Sequence, residues 1–297
     1  MDTKDRCYLC YSDVDIIYEL NTVNGAPRIV RCRKCAFQRL SPVPNKSTIE
    51  QIYTRSSSEK RLEFEVSSSK FLTTLRRKII IEPILKRLKN HVYAEKDVSL
   101  LDIGCSTGWK TSIAKNLGFR VTGLEINPQF ARFGREKYKI KIVESYIEEF
   151  DSNEKFNSIT MFHVLEHLPY PLAALKKIRG LLKHKGKVLI VVPNTESIGA
   201  RIFKKNYNWN APYHITFFSP STIDLILAKA GFKVIELNHL DSPPLLLYSF
   251  NNLMANRDYN SLVVTNALLG NIIFTPLSFI GKLIKKGEVI AVYAEKD

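Results

Sequence analysis

From residue 98 onward, short runs of apolar residues alternate with longer stretches whose apolar positions recur at helical spacing. The runs at 98–103, 119–124, 140–143, 156–162, 187–192, 232–237 and 287–294 read as strands. Between them, Ile113, Ala114 and Leu117 mark one helix, which Gly118 ends just past its last turn. Asn127-Pro128 opens a second helix that runs to Tyr138, and Pro171 suits the first turn of a third, through residue 182. A fourth spans 221–230 and stops at Gly231. Strands alternating with helices predict an α/β domain on a largely parallel sheet.

Upstream, Leu72, Leu75, Ile79, Ile80, Ile84, Leu85 and Leu88 form an amphipathic helical pattern over 71–90, with a bend at Pro83. Residues 47–53 read as a short Ser-capped helix, and the polar, Ser-rich 55–69 as a mobile connection or lid. The expected organisation is a small N-terminal unit over 1–45, a helical linker or lid over 46–97, and the sheet domain over 98–297. That domain carries an apolar helical insertion at 240–287. Within it, 259–281 holds no charged residue, and Lys282, Lys285 and Lys286 follow. The length would allow a membrane span, but Asn266, Gly270, Asn271 and Pro276 interrupt it and a strand must return to the sheet afterwards. The expectation is a pair of helices packed as a lid or lying in a membrane interface.

Cysteine spacing changes the picture at the N-terminus. Cys7-x-x-Cys10 and Cys32-x-x-Cys35 are two knuckles, each placing two thiolates on one tight turn. Two such turns complete a tetrahedral sulfur cage suited to zinc, and four thiolates leave no open position for catalysis. Short strands at 16–20 and 28–30 flank Asn24-Gly25, a hairpin signal. The expectation is a zinc ribbon holding one structural ion; the alternative is two reduced cysteine pairs without metal. Five cysteines in the whole chain argue against a disulfide framework.

The net charge of +15 is spread over clusters at 31–34, 76–78, 86–89 and 282–286. Spread positive charge favours phosphates, nucleic acid or anionic lipid as partners, or is simply a solvated basic surface. No apolar segment follows the charged start at residues 1–6, so a signal peptide is not expected.

The densest chemistry lies at 100–125, which reads L-L-D-I-G-C-S-T-G-W-K, a helix, then L-G-F-R-V-T-G-L-E. A strand, a Gly-rich turn, a helix and a second strand ending in an acid, Glu125, form one half of a dinucleotide-type site. Gly104 and Gly108 let a ligand approach the main chain. The NAD fingerprint wants G-x-G-x-x-G directly after the strand, and Ser106 breaks it. The turn resembles motif I, D-x-G-x-G-x-G, of the class I S-adenosylmethionine (SAM)-dependent methyltransferases, with Ser106 in place of the usual Gly. A more specific likeness is His163-Val164-Leu165-Glu166-His167-Leu168, which resembles a segment of one methyltransferase subgroup, as does the H-x-x-F-F-S beginning at His214. With the paired cysteines, the chain looks like a zinc-ribbon-bearing class I SAM-dependent methyltransferase. Seven strands with a late reversal fit that family's Rossmann-like sheet.

The resemblance implies that Asp102, Gly104, Cys105, Gly108, Glu125, Ile126, Ser145 and His163 surround SAM. Asp102 would orient the loop, Glu125 would meet the ribose, and the turn holding Ser145 would meet adenine. Cys105 reads as a small packing residue beside the cofactor. Glu166, His167 and His214 are the candidate catalytic bases; the alternatives are that His167 braces the next helix and that His214 only hydrogen-bonds a loop. Members of the subgroup act on sugars, glycan precursors and other small metabolites, so the implied activity is methyl transfer to a small-molecule or glycan substrate. An RNA methyltransferase is the second reading, since zinc ribbons and basic surfaces also serve nucleic acid. A non-catalytic SAM-fold binding module is the third, and the intact Asp102, Gly104, Gly108 and Glu125 speak against it. The expected location is the cytoplasm, with peripheral contact at the inner face of the membrane through 259–286.

Overall fold

A computed structural model describes residues 5–20, 27–45, 47–49, 77–92, 97–255 and 267–297. The Asn24-Gly25 turn, the connection over 50–76 and residues 256–266 of the insertion lie outside the described residues.

A seven-stranded sheet forms the body of the molecule. Its strands are β4 (Ser99–Ile103), β5 (Arg120–Glu125), β6 (Lys141–Glu144), β7 (Phe156–Phe162), β8 (Leu182–Pro193), β10 (Phe232–Leu240) and β11 (Val289–Lys296). The spatial order is β10-β11-β8-β7-β4-β5-β6. The strands from β8 to β6 run parallel, while β11 pairs antiparallel with both β8 and β10. Every residue of β4 and β7 is buried, as expected of central parallel strands covered on both faces. The order reverses between β4 and β7, and an open α/β sheet binds ligands at such a switch point, beyond the carboxyl ends of the strands. This is the class I SAM-dependent methyltransferase architecture expected from the sequence.

Helix boundaries follow local chemistry. Asn127 caps the Pro128–Tyr138 helix by accepting from the Gln129 and Phe130 N–H groups at 2.9 and 3.2 Å. Ser219 and Thr222 cap each other's backbone at the start of Pro220–Lys229. Strand β8 begins at Leu182, earlier than the expected residue 187. The basic stretch that reads as a turn before the strand is itself extended, with a register irregularity against β7 near Phe156.

The N-terminal unit is an antiparallel sheet of β1 (Val14–Glu19), β2 (Arg28–Cys32) and β3 (Gln38–Ser41). Sequence reading stops at the hairpin. The structure adds β3, and then β9 (Thr216–Phe217), which pairs with β3 at Gln38 and Arg39. The ribbon sheet is thus completed by the H-x-x-F-F-S segment of the large domain. Tyr8, Phe37 and Phe218 carry the contact inward as edge-on rings, centroids 5.2 and 5.9 Å apart. Cys7, Leu9, Cys32 and Phe37 lie in the same apolar core as Ile223, Ile226 and Phe232.

Candidate active site

The turn after β4 is closed by its own backbone. The Gly104 and Cys105 N–H groups both donate to the Leu124 carbonyl, at 2.8 and 3.0 Å, and Gly108 N–H donates to the Cys105 carbonyl. Gly104 and Gly108 have φ of +66° and +76°, and a Cβ there would lie 2.5 Å from Val164 Cγ2 and 2.6 Å from Ile140 Cδ1. Both positions therefore require glycine on two grounds. Ser106, where the family carries glycine, also takes a left-handed φ of +54°. Its hydroxyl is buried without a partner among the described residues, at the turn where a ligand would approach.

Asp102 is buried and accepts from Thr111 Oγ1 at 2.5 Å and Thr160 Oγ1 at 2.8 Å. It ties β4 to β7 and to the Trp109–Asn116 helix, which fixes the turn from beneath. Burial raises its carboxyl above the ordinary range, opposed by those two hydroxyls. Glu125 accepts from Ser106 N–H and Asn127 N–H, both at 2.8 Å, one through each oxygen. Ile126 is half-buried next to it. Cys105 is placed differently from a ligand-contacting side chain. Its thiol is buried among Ala131, Ile140 and Ile142, and burial pushes it well above the ordinary thiol value. Its part in the turn is played by its backbone. Ser145 follows β6 and donates to the Tyr146 carbonyl at 3.0 Å.

The second half of the site follows β7. His163 takes a φ of +58°, uncommon for a residue with a side chain, and its Nδ1 lies 3.0 Å from Glu166 Oε1. Glu166 is only 1% exposed, and its other oxygen has no partner among the described residues. Burial alone would raise this carboxyl; the His163 hydrogen bond and the nearby imidazoles bring it down to about 2. His167 Nδ1 lies 2.8 Å from the Tyr213 carbonyl, which can only accept. That bond fixes the proton on Nδ1 and makes Nε2 the acceptor nitrogen of the neutral ring. His214 meets His167 edge-on, centroids 4.8 Å apart, and is buried. Burial holds it neutral, down to about 3, against the opposing pull of Glu166. One ligand atom each from Glu166, His167 and His214 lies within 4.8 Å of the others, so the three can act on one acceptor. A cleft beside them is lined by Pro193, Asn194, Thr195, Tyr207 and Trp209.

The two halves come together at the switch point, as β4 and β7 are adjacent. His167 bonds the Tyr213 carbonyl in a distant turn rather than the helix that follows it, Pro171–Leu181. Sequence reading missed Thr111 and Thr160, which hold Asp102, and Glu288, which accepts from Ser197 Oγ, Gly199 N–H and Tyr207 Oη beneath the cleft. Hydroxyls on a strand or helix carry no pattern of their own, and Glu288 opens an apolar strand with nothing to mark it as buried.

The buried His214 predicts an acid-sensitive fold. In the unfolded chain this imidazole protonates near 6.5, but in the folded chain not until about 3. Its contribution is complete above about pH 6.5 and is lost as pH falls toward 3, at about 1.4 kcal/mol per pH unit. Glu166, also depressed, adds a lower window between 4.5 and about 2. The Tm of His214→Gln should fall less steeply than that of the wild type between about pH 7 and pH 4. Parallel curves would contradict a buried neutral imidazole.

A family model described as a methyltransferase domain matches residues 71–237, more than half of the chain. An uncharacterized protein of Methanocaldococcus jannaschii is 29% identical over 168 residues, covering 56% of this chain and 71% of that protein. A ubiquinone biosynthesis O-methyltransferase of Xanthomonas euvesicatoria is 23% identical over 155 residues, covering 47% of this chain and 64% of the relative, which is under two thirds of its length. Among solved structures, magnesium protoporphyrin IX methyltransferase from Synechocystis, with S-adenosylhomocysteine bound, superimposes with a TM-score of 0.56 at 12% identity. That match covers 85% of this chain and 100% of the other. A Burkholderia thailandensis 1,6-didemethyltoxoflavin-N1-methyltransferase, also with S-adenosylhomocysteine, gives 0.54 at 14% identity, covering 94% and 99%.

Proposed function

The chain belongs to the methyltransferase domain family, and its enzyme class is SAM-dependent methyltransferase; we propose that its acceptor is a small molecule, namely a sugar, a glycan precursor or a lipid-linked metabolite. SAM supplies an electrophilic methyl carbon on a sulfonium centre. The residues fit that cofactor: the Gly104–Gly108 turn admits close approach, Glu125 stands at the tip of β5 beside that turn, and Ser106 presents a buried hydroxyl without a partner among the described residues.

The observation that carries the chemical reading is the convergence of Glu166, His167 and His214, with His167 Nδ1 facing the Tyr213 carbonyl. Glu166, held down to about 2, and His214, held down to about 3, are weak bases near neutrality. His167 lies beside them, its Nδ1 against the Tyr213 carbonyl. His167 is then the group that takes the acceptor's proton as the methyl group transfers. The Glu166 carboxylate, braced by His163, favours the imidazolium that forms. His214 packs the ring in place. The RNA reading loses its stacking platform, because Tyr207 and Trp209 in the basic 198–209 stretch are buried. The intact mass of nucleotide-sugar and glycan-precursor acceptors after incubation with SAM tests the proposal. A gain of one methyl in that panel supports it. Methylation of RNA instead, with a salt-steep affinity, would replace it.

Glu125→Ala is expected to weaken SAM binding by about 1–3 kcal/mol, the cost of lost hydrogen bonds to a buried polar group. The variant also releases the Ser106 and Asn127 N–H groups, so Glu125→Gln serves as the milder comparison. Calorimetry reads both. An unchanged affinity in folded Glu125→Ala would remove Glu125 from the site.

We also propose that Cys7, Cys10, Cys32 and Cys35 hold one structural zinc. The Cys7–Cys35 and Cys10–Cys32 sulfurs lie 3.6 and 3.4 Å apart. A tetrahedral site with Zn–S bonds of about 2.3 Å needs sulfurs about 3.8 Å apart. Lys34 and Cys35 N–H groups both point at Cys32 Sγ at 3.4 Å, a setting that suits a thiolate.

A further inference from the structure

The Ala267–Leu283 helix is turned inside out for a surface helix. Such helices bury their large apolar side chains and show polar ones to water. Here the inward face mixes the small residues Gly270, Ser278 and Gly281 with Phe274 and Leu277. A Cβ on Gly270 would lie 2.6 Å from Leu247, and one on Gly281 would lie 2.8 Å from Ile198 Cγ2. Ser278 accepts from Ser242 N–H at 2.7 Å, and Phe274 rests on Phe250 with centroids 5.6 Å apart. The large apolar residues point out. Leu269, Ile272, Ile273, Phe279, Ile280 and Leu283, with the exposed Pro276 between them, fall at three- and four-residue spacing, and the six are 48–65% exposed. That is one continuous stripe along a helix about 25 Å long. Patches of this extent mark a surface that meets something else.

The rim is basic. Lys282 is the helix's one charged residue, and Lys285 and Lys286 follow it. The neighbouring 198–206 segment, packed against the helix, exposes Arg201, Lys204 and Lys205 beside the apolar Ile202. Two acids reach this rim: Asp241 lies 3.4 Å from Lys282, and Glu196 lies 3.4 Å from Lys286. The basic groups outnumber them.

We infer that this stripe is a docking face for a bilayer with anionic headgroups. The apolar side chains enter the headgroup–acyl boundary and the lysines and arginines sit among the phosphates. Charge selects this occupant over a second copy of the chain. A self-complementary contact would set one basic rim against another, on a molecule of net charge +15. The helix lies on the membrane, for no described helix is long and apolar enough to cross one.

The face also adjoins the acceptor cleft. Past the helix, the Lys286 carbonyl accepts from Ile198 N–H at 2.9 Å, and the Gly287 carbonyl accepts from Asn194 Nδ2 at 2.9 Å. Asn194 lines the cleft with Glu166 and His214. The cleft itself holds only about 10 Å³, so an acceptor with an acyl or polyprenyl tail would reach Glu166 and His214 only by opening it. This last step rests on the methyl-transfer reading; the docking does not.

Flotation of the zinc-loaded full chain tests it, using phosphatidylcholine vesicles with and without phosphatidylglycerol. The protein should float with the anionic vesicles at low salt and much less at high salt. The double variant Ile272→Gln, Phe279→Gln alters exposed side chains only, and its partition should fall by about tenfold or more. Its heat of SAM binding should match the wild type, which separates failure of docking from failure of the methyl-transfer site. Wild-type protein that stays at the bottom of the gradient with anionic vesicles would overturn the inference. So would a double variant that floats like the wild type, or a wild-type dimer that this variant dissolves.

Discussion

His167→Ala should lower kcat by about 10²–10⁴-fold, the usual contribution of a positioned general base, with SAM affinity unchanged. In the proposed reading the imidazole serves the acceptor and not the cofactor, so its loss should leave cofactor binding alone. Its Nδ1 faces the Tyr213 carbonyl, so the proposed base is the Nε2 side of the ring. His214→Asn should cost less, because that ring is buried and held neutral. Glu166→Gln keeps shape and one hydrogen bond to His163 but removes the charge facing the ring. It should lower kcat and shift the acid limb of the pH–rate profile downward, since the imidazolium loses its counter-ion. Initial rates against pH, on an acceptor found in the mass panel, check all three. A His167→Ala enzyme with wild-type kcat would exclude His167 as the base.

Removing zinc is expected to have the largest effect on stability. Structural zinc sites in small peptides contribute apparent binding energies of about 10–16 kcal/mol that are also folding energies. In this chain the cost should reach beyond the ribbon. Cys7 and Cys32 share a core with Ile223 and Phe232, and β3 pairs with β9. Treatment with a strong chelator should therefore lower the Tm of the whole protein, and elemental analysis before treatment should find about one zinc per chain. Protein expressed with zinc supplied but holding no metal would sink the assignment. A Tm unmoved by chelation would show that the ribbon contributes nothing to the large domain.

The strands of the large domain were legible because parallel central strands are continuous apolar runs, as in β4 and β7. The Gly104 and Gly108 turn was legible because left-handed backbone leaves few residue choices. The cysteine pairs were legible from spacing alone, and their sulfurs do converge. Sequence was silent where the structure depends on contacts between distant segments. The pairing of Arg39 with Thr216 joins residues far apart in the chain, and two-residue β9 has no periodicity to read. The environments of Glu166, His167 and His214 were equally hidden, since which nitrogen faces the Tyr213 carbonyl and which ring is buried depend on distant segments. Cys105 packs, as its small size suggested, though away from the turn's open face. Its position in the turn is as expected, but its thiol faces Ile140 and Ile142, and only its backbone shapes the turn.

Calorimetric titration of the zinc-loaded protein with SAM and with S-adenosylhomocysteine bears most directly on the central claim, a cofactor site at the β4 turn bounded by Glu125. One saturable site per chain is predicted for both ligands, weakened in Glu125→Ala by about 1–3 kcal/mol. A folded, zinc-loaded chain that gives no saturable heat with either ligand would contradict the account.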